Sequence, residues 1–285
     1  MTITGTTRVF FVLGHPVAQV RAPEVFNPLF AAHGVDAVLV PAQVAPDRLA
    51  AFVQGTLGAH NMDGLWLTIP HKTAVMDLLQ HSDRQAQRAG AVNALRRNAD
   101  GSLEGALFDG LGLAKALDHL QVRTTGQRVL LLGTGGAGMA IAAALCERPL
   151  GELALFDALP GRADMAVQRL RAGGSVAPLT AAVSNDAAGF DVIVHATPLG
   201  LNADDPLPLD VARIAPHATV VDILMKRQPT ALQRACEARG LTVHPGFEML
   251  AQQVPEYLRF FGFEAMAEAV ALDLAPVRQR LTALA

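Results

Sequence analysis

Hydrophobic and polar positions change period repeatedly along the chain. Residues 8–13 form a short, β-rich apolar run ended by Gly14. Residues 37–40 and 65–69 are two more such runs, the last closed by Pro70. Between them, residues 23–33 and 46–57 carry helical spacing, the first with proline in its opening turn and Gly34 just past its end. Residues 71–79 predict a third helix. Strand and helix alternate, which predicts a largely parallel sheet with helices over its faces. The turn cluster 98–102 lies between apolar segments 91–96 and 103–107 and predicts a hairpin, followed by a helix over 110–120. In the second half, strands are predicted at 128–132, 152–156, 190–195, 219–223 and 241–243. Helices are predicted to follow through Cys146 and over 163–172 and 230–239, and the last forty residues are mostly helical.

The strand at 128–132 runs into Gly133-Thr134-Gly135-Gly136-Ala137-Gly138. Gly133, Gly135 and Gly138 have the spacing of the dinucleotide fingerprint, placed after a strand and at the start of a helix. Each glycine has a mechanical reason: the tight turn, the close approach of backbone to a pyrophosphate, and close packing of helix on strand. Gly136 and Ala137 lie in the turn that offers N–H groups to that anion at the helix N-terminus. Asp157 ends the next strand, where an acidic side chain accepts hydrogen bonds from ribose hydroxyls and repels a 2′-phosphate. The expectation is a Rossmann unit binding NAD in preference to NADP, with nearby Arg162 partly offsetting that preference.

Composition narrows the class. The chain has 285 residues, 51% hydrophobic and 17% charged, with net charge −3, which fits a compact enzyme and gives no basic footprint for nucleic acid. No apolar run approaches the roughly 20 residues of a membrane span, and the N-terminus lacks the pattern of a signal peptide, so a cytoplasmic location is expected. Cys146 and Cys236 are far apart and read as reduced thiols. The nine histidines, His71 and His195 included, show no metal-ligand spacing. No metal is expected, and a structural role is assigned to both of those histidines.

Further polar residues fall at strand ends and in loops. Thr68 and Lys72 lie in Leu67-Thr68-Ile69-Pro70-His71-Lys72, Asn93 in Gly90-Ala91-Val92-Asn93, and Asp109 in Phe108-Asp109-Gly110. Taken singly, each has an ordinary explanation as a surface lysine, a turn residue or a helix cap. In order, with the glycine loop, Ala196-Thr197-Pro198-Leu199-Gly200 and Gly246-Phe247-Glu248-Met249-Leu250-Ala251-Gln252-Gln253, they resemble the shikimate/quinate dehydrogenase family over nearly the whole chain.

The resemblance implies an α/β fold with an N-terminal α/β substrate domain (1–109) completed by C-terminal helices (246–285), and a Rossmann NAD(P)-binding domain at 110–245, with reaction in the cleft between them. It implies Lys72 and Asp109 as the catalytic pair, and Thr68, Asn93 and Gln253 as substrate ligands. Thr197 and Pro198 fall on the loop beside the cofactor, and Gly246 and Met249 near the nicotinamide. Oxidising a secondary alcohol requires a group that takes the hydroxyl proton as hydride leaves, and a lysine oriented by an aspartate suits that task.

The departures from the family pattern lie on the substrate side. Val20-Arg21-Ala22 stands where the family has Ser-x-Ser for a carboxylate, Trp66-Leu67-Thr68 where it has Asn-Val-Thr, Leu107-Phe108-Asp109 for Asn-Thr-Asp, and Met225 for a tyrosine. Each lost hydrogen bond is worth about 0.5–1.5 kcal/mol. The expectation is therefore an NAD-dependent dehydrogenase of a cyclic hydroxy acid or a less polar alcohol, with Trp66 either facing the substrate or in the core, and with Arg21 or Gln19 replacing the carboxylate ligands or Arg21 solvated at the surface. The alternatives are an ordinary NADP-dependent shikimate 5-dehydrogenase of aromatic biosynthesis and a catalytically silent NAD-binding sensor. The assembly is expected to be a monomer or homodimer.

Overall fold

The computed structural model of the chain describes residues 2–226 and 228–283. They divide into two compact units, Met1–Phe108 with Gln253–Ala283, and Asp109–Gln252. The mixed α/β class is the one expected.

In the first unit, β1 (Arg8–Gly14), β2 (Ala37–Gln43), β3 (Met62–Leu67), β4 (His81–Ser82), β5 (Ala94–Arg97) and β6 (Leu103–Ala106) form one sheet in the order β2-β1-β3-β5-β6-β4. β1 pairs parallel with β2 and β3, because α1 (Ala22–Ala32) and α2 (Leu49–Thr56) carry the chain back between them. The hairpin β5–β6 is antiparallel, as the turn cluster predicts, and β5 runs antiparallel to β3.

Two local features differ from expectation. Residues 71–79 do not form one helix: α3 (His71–Ala74) gives way to a 3-10 turn at Val75–Leu78. The chain there is drawn onto the sheet edge, where Gln80 N–H donates to Leu103 O (3.0 Å) and Leu103 N–H to Gln80 Oε1 (2.8 Å). The six-residue α4 (Arg84–Ala89) is too short to show a period. Its signals are Asp83, which caps the Ala86 N–H at 2.6 Å, and the left-handed Gly90 that stops it.

His71 is fully enclosed, with Nε2 at 2.9 Å from Val44 O. Burial holds its pKa below the ordinary 6.5 despite that carbonyl, and His15 adds repulsion. The unfolded chain therefore binds the proton more readily. Stability is complete above about pH 6.5 and falls as pH drops below it. His244 is lowered by burial as well, so the comparison is made against a variant. The drop in urea midpoint between about pH 7.5 and about pH 5.5 is expected to shrink in His71→Gln. An equal drop in both proteins removes His71 from the pH response.

In the second unit, β7 (Arg128–Leu132), β8 (Glu152–Phe156), β9 (Leu179–Ala181), β10 (Val192–His195), β11 (Thr219–Asp222) and β12 (Thr242–Pro245) form an all-parallel sheet. The three-residue edge strand β9 was not readable from the sequence, being too short for a pattern. The order β12-β11-β10-β7-β8-β9 is that of the doubly wound dinucleotide fold, with its switch point between β7 and β10. α5 (Asp109–His119), α6 (Gly136–Leu145), α7 (Arg162–Ala172) and α8 (Ala231–Ala238) belong to this unit. Cys146 and Cys236 are both buried and form no disulfide, and burial pushes the Cys236 thiol up to about 11.

α9 (Phe247–Phe260) runs from the second unit into the first. α10 (Glu264–Leu272) and α11 (Ala275–Ala283) complete the first unit. Among the described residues no helix is long and apolar enough to cross a membrane.

Candidate active site

The glycine loop joins β7 to α6. Gly133 has φ +97°, and a Cβ there would stand 2.7 Å from Ala196 O, so the turn admits only glycine. A Cβ on Gly138 would lie 1.9 Å from Gly133 O, which explains the close seating of α6 on the loop. Gly135 is different: no neighbouring atom lies within 4 Å of a Cβ built there. Internal packing therefore does not demand glycine at this position. An approaching anion does, and Gly135 with Gly136 and Ala137 fits the pyrophosphate of a dinucleotide.

Asp157 follows β8 and grips the same loop. Its Oδ2 accepts Thr134 N–H (2.8 Å) and Thr134 Oγ1–H (2.7 Å), and Oδ1 accepts Leu159 N–H (3.0 Å). Burial acts to raise its pKa, but the donors from Leu159 and Thr134 and the Arg162 charge prevail and hold it below the ordinary 3.8. With two acceptors at most per oxygen, Oδ2 is saturated and Oδ1 keeps one lone pair for a ribose hydroxyl. The sequence located this carboxylate but not its clamp on Thr134.

At the adjacent strand ends, His195 and Asp222 are register partners and completely buried. His195 Nδ1 lies 3.0 Å from Asp222 Oδ1, and His195 Nε2 lies 2.5 Å from Thr197 Oγ1. Thr230 Oγ1 and Gln233 Nε2 donate to Asp222 Oδ2 at 2.5 and 3.3 Å, while Thr230 and Gln233 form the capping box of α8. Sequence reasoning assigned His195 only a structural role. The available signal was a histidine and an aspartate closing two neighbouring parallel strands. Pro198 is exposed beyond Thr197. Gly246 packs against the exit of β11, where a Cβ would stand 2.2 Å from Ile223 O, and Met249 is buried on α9.

In the first unit, backbone hydrogen bonds place three expected residues, and a side-chain bond adds a fourth. Thr68 N–H donates to Leu13 O (2.9 Å) and Leu67 N–H to Asn93 O (2.8 Å). Val92 N–H donates to Lys72 O (2.9 Å), which ties α3 to the segment before β5. Lys72 is half-buried. Asn93 and Gln253 are almost fully buried, and their amides meet at 3.3 Å. Phe108 N–H donates to Asn93 Oδ1 at 3.0 Å, so Asn93 Nδ2 must be the donor to Gln253 Oε1. Both amides retain N–H groups, which suit hydroxyl oxygens of a ligand.

Two expected substrate residues are placed otherwise. Trp66 is 3% exposed and stacks on both Tyr257 and Phe261, with ring centroids at 5.2 and 4.2 Å. It belongs to the aromatic core and does not face a ligand. Arg21, at the start of α1, pairs with Glu24 at 3.3 Å, an interaction within its own helix. Gln19 donates to Pro16 O. Asp109 is buried at the first position of α5 in the second unit. Among the described residues no group of three or more His, Cys, Asp or Glu side chains is arranged to hold a metal.

The parallel sheet, its strand order and its glycine loop define an α/β oxidoreductase of the dinucleotide-binding kind. Comparison with known proteins makes this specific. The family description "Shikimate dehydrogenase substrate binding domain" matches residues 12–95. A shikimate dehydrogenase (NADP(+)) of Rubrobacter xylanophilus is 39% identical over 261 residues, 90% of this chain and 91% of its own length. One from Acidiphilium cryptum is 37% identical, covering 96% and 99%. The crystal structure of the Thermus thermophilus shikimate 5-dehydrogenase in complex with NADP(H) and shikimate superposes with a TM-score of 0.79 at 28% identity, covering 93% and 98%. The chain belongs to the shikimate dehydrogenase family, as its motif order implies, and is a nicotinamide-dependent dehydrogenase acting on a CH–OH group. The names of these relatives fit the NADP-dependent shikimate alternative better than the expected NAD-dependent reading on a shikimate/quinate-like or less polar compound.

Proposed function

We propose that the protein is a dehydrogenase that interconverts a ring hydroxyl and ketone of a shikimate-like cyclic acid. The observation that carries this reading is the buried Asn93–Gln253 amide pair, tied through Val92 to the backbone of Lys72. Unspent N–H groups on two buried amides are what a polyhydroxylated ring requires. The domain around Lys72 is the substrate domain, and the unit with the glycine loop holds the dinucleotide, which when bound supplies the hydride acceptor.

Lys72 takes the hydroxyl proton, and Asp109 keeps the catalytic role that the family resemblance implies for it. Asn93 and Gln253 donate to ring hydroxyl oxygens, and Thr68 adds a hydroxyl. The relatives' names favour shikimate and NADP. Initial rates with shikimate, quinate and less polar cyclic alcohols, each with NADP and NAD, test the assignment. Shikimate with NADP is expected to lead. Absence of turnover with every cyclic acid defeats it.

A second reading, NAD with a ligand less dependent on a carboxylate clamp, is supported by two features. Asp157 is followed by Ala158 and Leu159, which offer no cation for a 2′-phosphate, and Val20-Arg21-Ala22 offers no paired hydroxyls. On that reading Asp157→Ser moves the NADP-to-NAD affinity ratio toward NADP by on the order of tenfold, about one removed charge at the ribose edge. Dissociation constants from cofactor fluorescence read the ratio, and an unchanged ratio removes Asp157 from cofactor choice.

A further inference from the structure

The hydrogen bonds around His195 fix the orientation of its ring. Asp222 Oδ1 accepts Leu224 N–H (3.2 Å) as well as His195, and Oδ2 accepts Thr230 and Gln233. Four donors fill the acceptor capacity of a carboxylate, and a carboxylate cannot donate. His195 Nδ1 therefore carries a proton toward Asp222, and Nε2 faces Thr197 Oγ1. Thr197 Oγ1 also accepts Leu199 N–H at 3.2 Å. His195 and Leu199 thus occupy two of the three hydrogen-bonding directions of the hydroxyl, and one is left.

The position of that remaining direction gives it a use. Thr197 follows β10 at the switch point, and its Cγ2 would stand 3.0 Å from a Cβ on Gly133, the first residue of the glycine loop. Ala196 N–H donates to Leu132 O at 2.8 Å, so the strand-end loop is fastened to β7. In a doubly wound sheet the two halves each take one mononucleotide. Asp157 lies in the β7–β9 half, which takes the adenosine side. Thr197 lies in the β10–β12 half, which takes the other.

We propose that His195, fixed by Asp222, is a positioning residue for the nicotinamide half of the cofactor. By fixing the Thr197 hydroxyl it turns the remaining hydrogen-bonding direction of Oγ1 toward the nicotinamide carboxamide or its ribose. The buried network Asp222–Thr230–Gln233 anchors the ring from behind through the cap of α8. This rests on the reading that the second unit binds a dinucleotide.

The test is a fluorescence titration with NADPH and NADH of wild type, Thr197→Val, His195→Asn and the double variant, alongside ADP-ribose as a probe of the adenosine half. Asn keeps a donor for Asp222 but is too short to serve Thr197 as well. Each single variant is expected to weaken reduced-cofactor binding about three- to tenfold, the range of one neutral hydrogen bond. The double variant is expected to be no weaker than Thr197→Val, with ADP-ribose binding unchanged throughout. Thr197→Val is near-isosteric and leaves the buried network whole, so it reads the proposal even where His195→Asn fails to fold. Losses that multiply in the double variant, a parallel loss of ADP-ribose, or no loss in Thr197→Val overturn it. A wild-type protein that binds ADP-ribose and reduced cofactor but shows those patterns defeats this inference alone. One that binds no dinucleotide defeats the functional reading with it.

Discussion

Replacing Lys72 by Met lowers kcat by about 10²–10⁴-fold, the range of a lost general acid–base group. Methionine keeps the length and apolar stem of the side chain and removes only the amine. Lys72 is half-buried on a four-residue helix, and its backbone carbonyl carries the bond from Val92, which the substitution leaves in place. The urea midpoint should therefore stay close to wild type. Binding of reduced cofactor should also be unchanged, because the glycine loop, Asp157 and Thr197 belong to the other unit. Lys72→Arg is not expected to rescue turnover, since a guanidinium does not give up its proton near neutral pH. Steady-state rates with the leading substrate and cofactor, set beside cofactor titrations, decide the matter. Turnover of Lys72→Met within about threefold of wild type removes Lys72 from the proposed chemistry.

The parts of the structure readable from the sequence are those where local chemistry and tertiary demand coincide. The strand before Gly133, the glycine loop and Asp157 form a local unit, because Gly138 packs on Gly133 within the loop and Asp157 binds Thr134 from the end of the next strand. The mixed topology of the first sheet was less visible. The edge strand β4 holds two residues and α4 six, too few for a hydrophobic period, and both exist because the chain is captured by β6. The site shows the same division. Thr68, Lys72, Asn93 and Gln253 were singled out through their order in the chain. The Asn93–Gln253 contact joins residues 160 apart and has no local signature. The His195–Asp222–Thr197 chain was missed for a related reason: parallel pairing brings together residues 27 apart. Trp66 went the other way. Its place in a family motif suggested a ligand contact, but the residues that enclose it come from α1, β1 and α9, and no local pattern reports them.

Trp66→Asn puts into this chain the residue the family pattern has at that position, and it is expected to unfold the first unit rather than improve the site. The indole is 3% exposed, stacked on Tyr257 and Phe261, and met edge-on by Phe10 and Phe26 at 5.2 Å each. Truncating a buried tryptophan costs about 3–5 kcal/mol. The amide left behind would be enclosed by aromatic rings, adding about 1–3 kcal/mol for unsatisfied polar atoms. Together these approach the whole stability of a typical domain, about 5–15 kcal/mol. Trp66→Phe separates the two terms. Nε1 of Trp66 is buried and has no hydrogen-bond partner among the described residues, so phenylalanine loses ring area but also removes a poorly satisfied donor. Its cost is expected to be less than half that of Asn. Trp66 is the only tryptophan, so both variants lose the fluorescence probe and unfolding is followed by circular dichroism in urea. If Trp66→Asn instead folds with a wild-type midpoint and gains turnover of shikimate, the indole lies at the substrate and the aromatic core described here is not its setting.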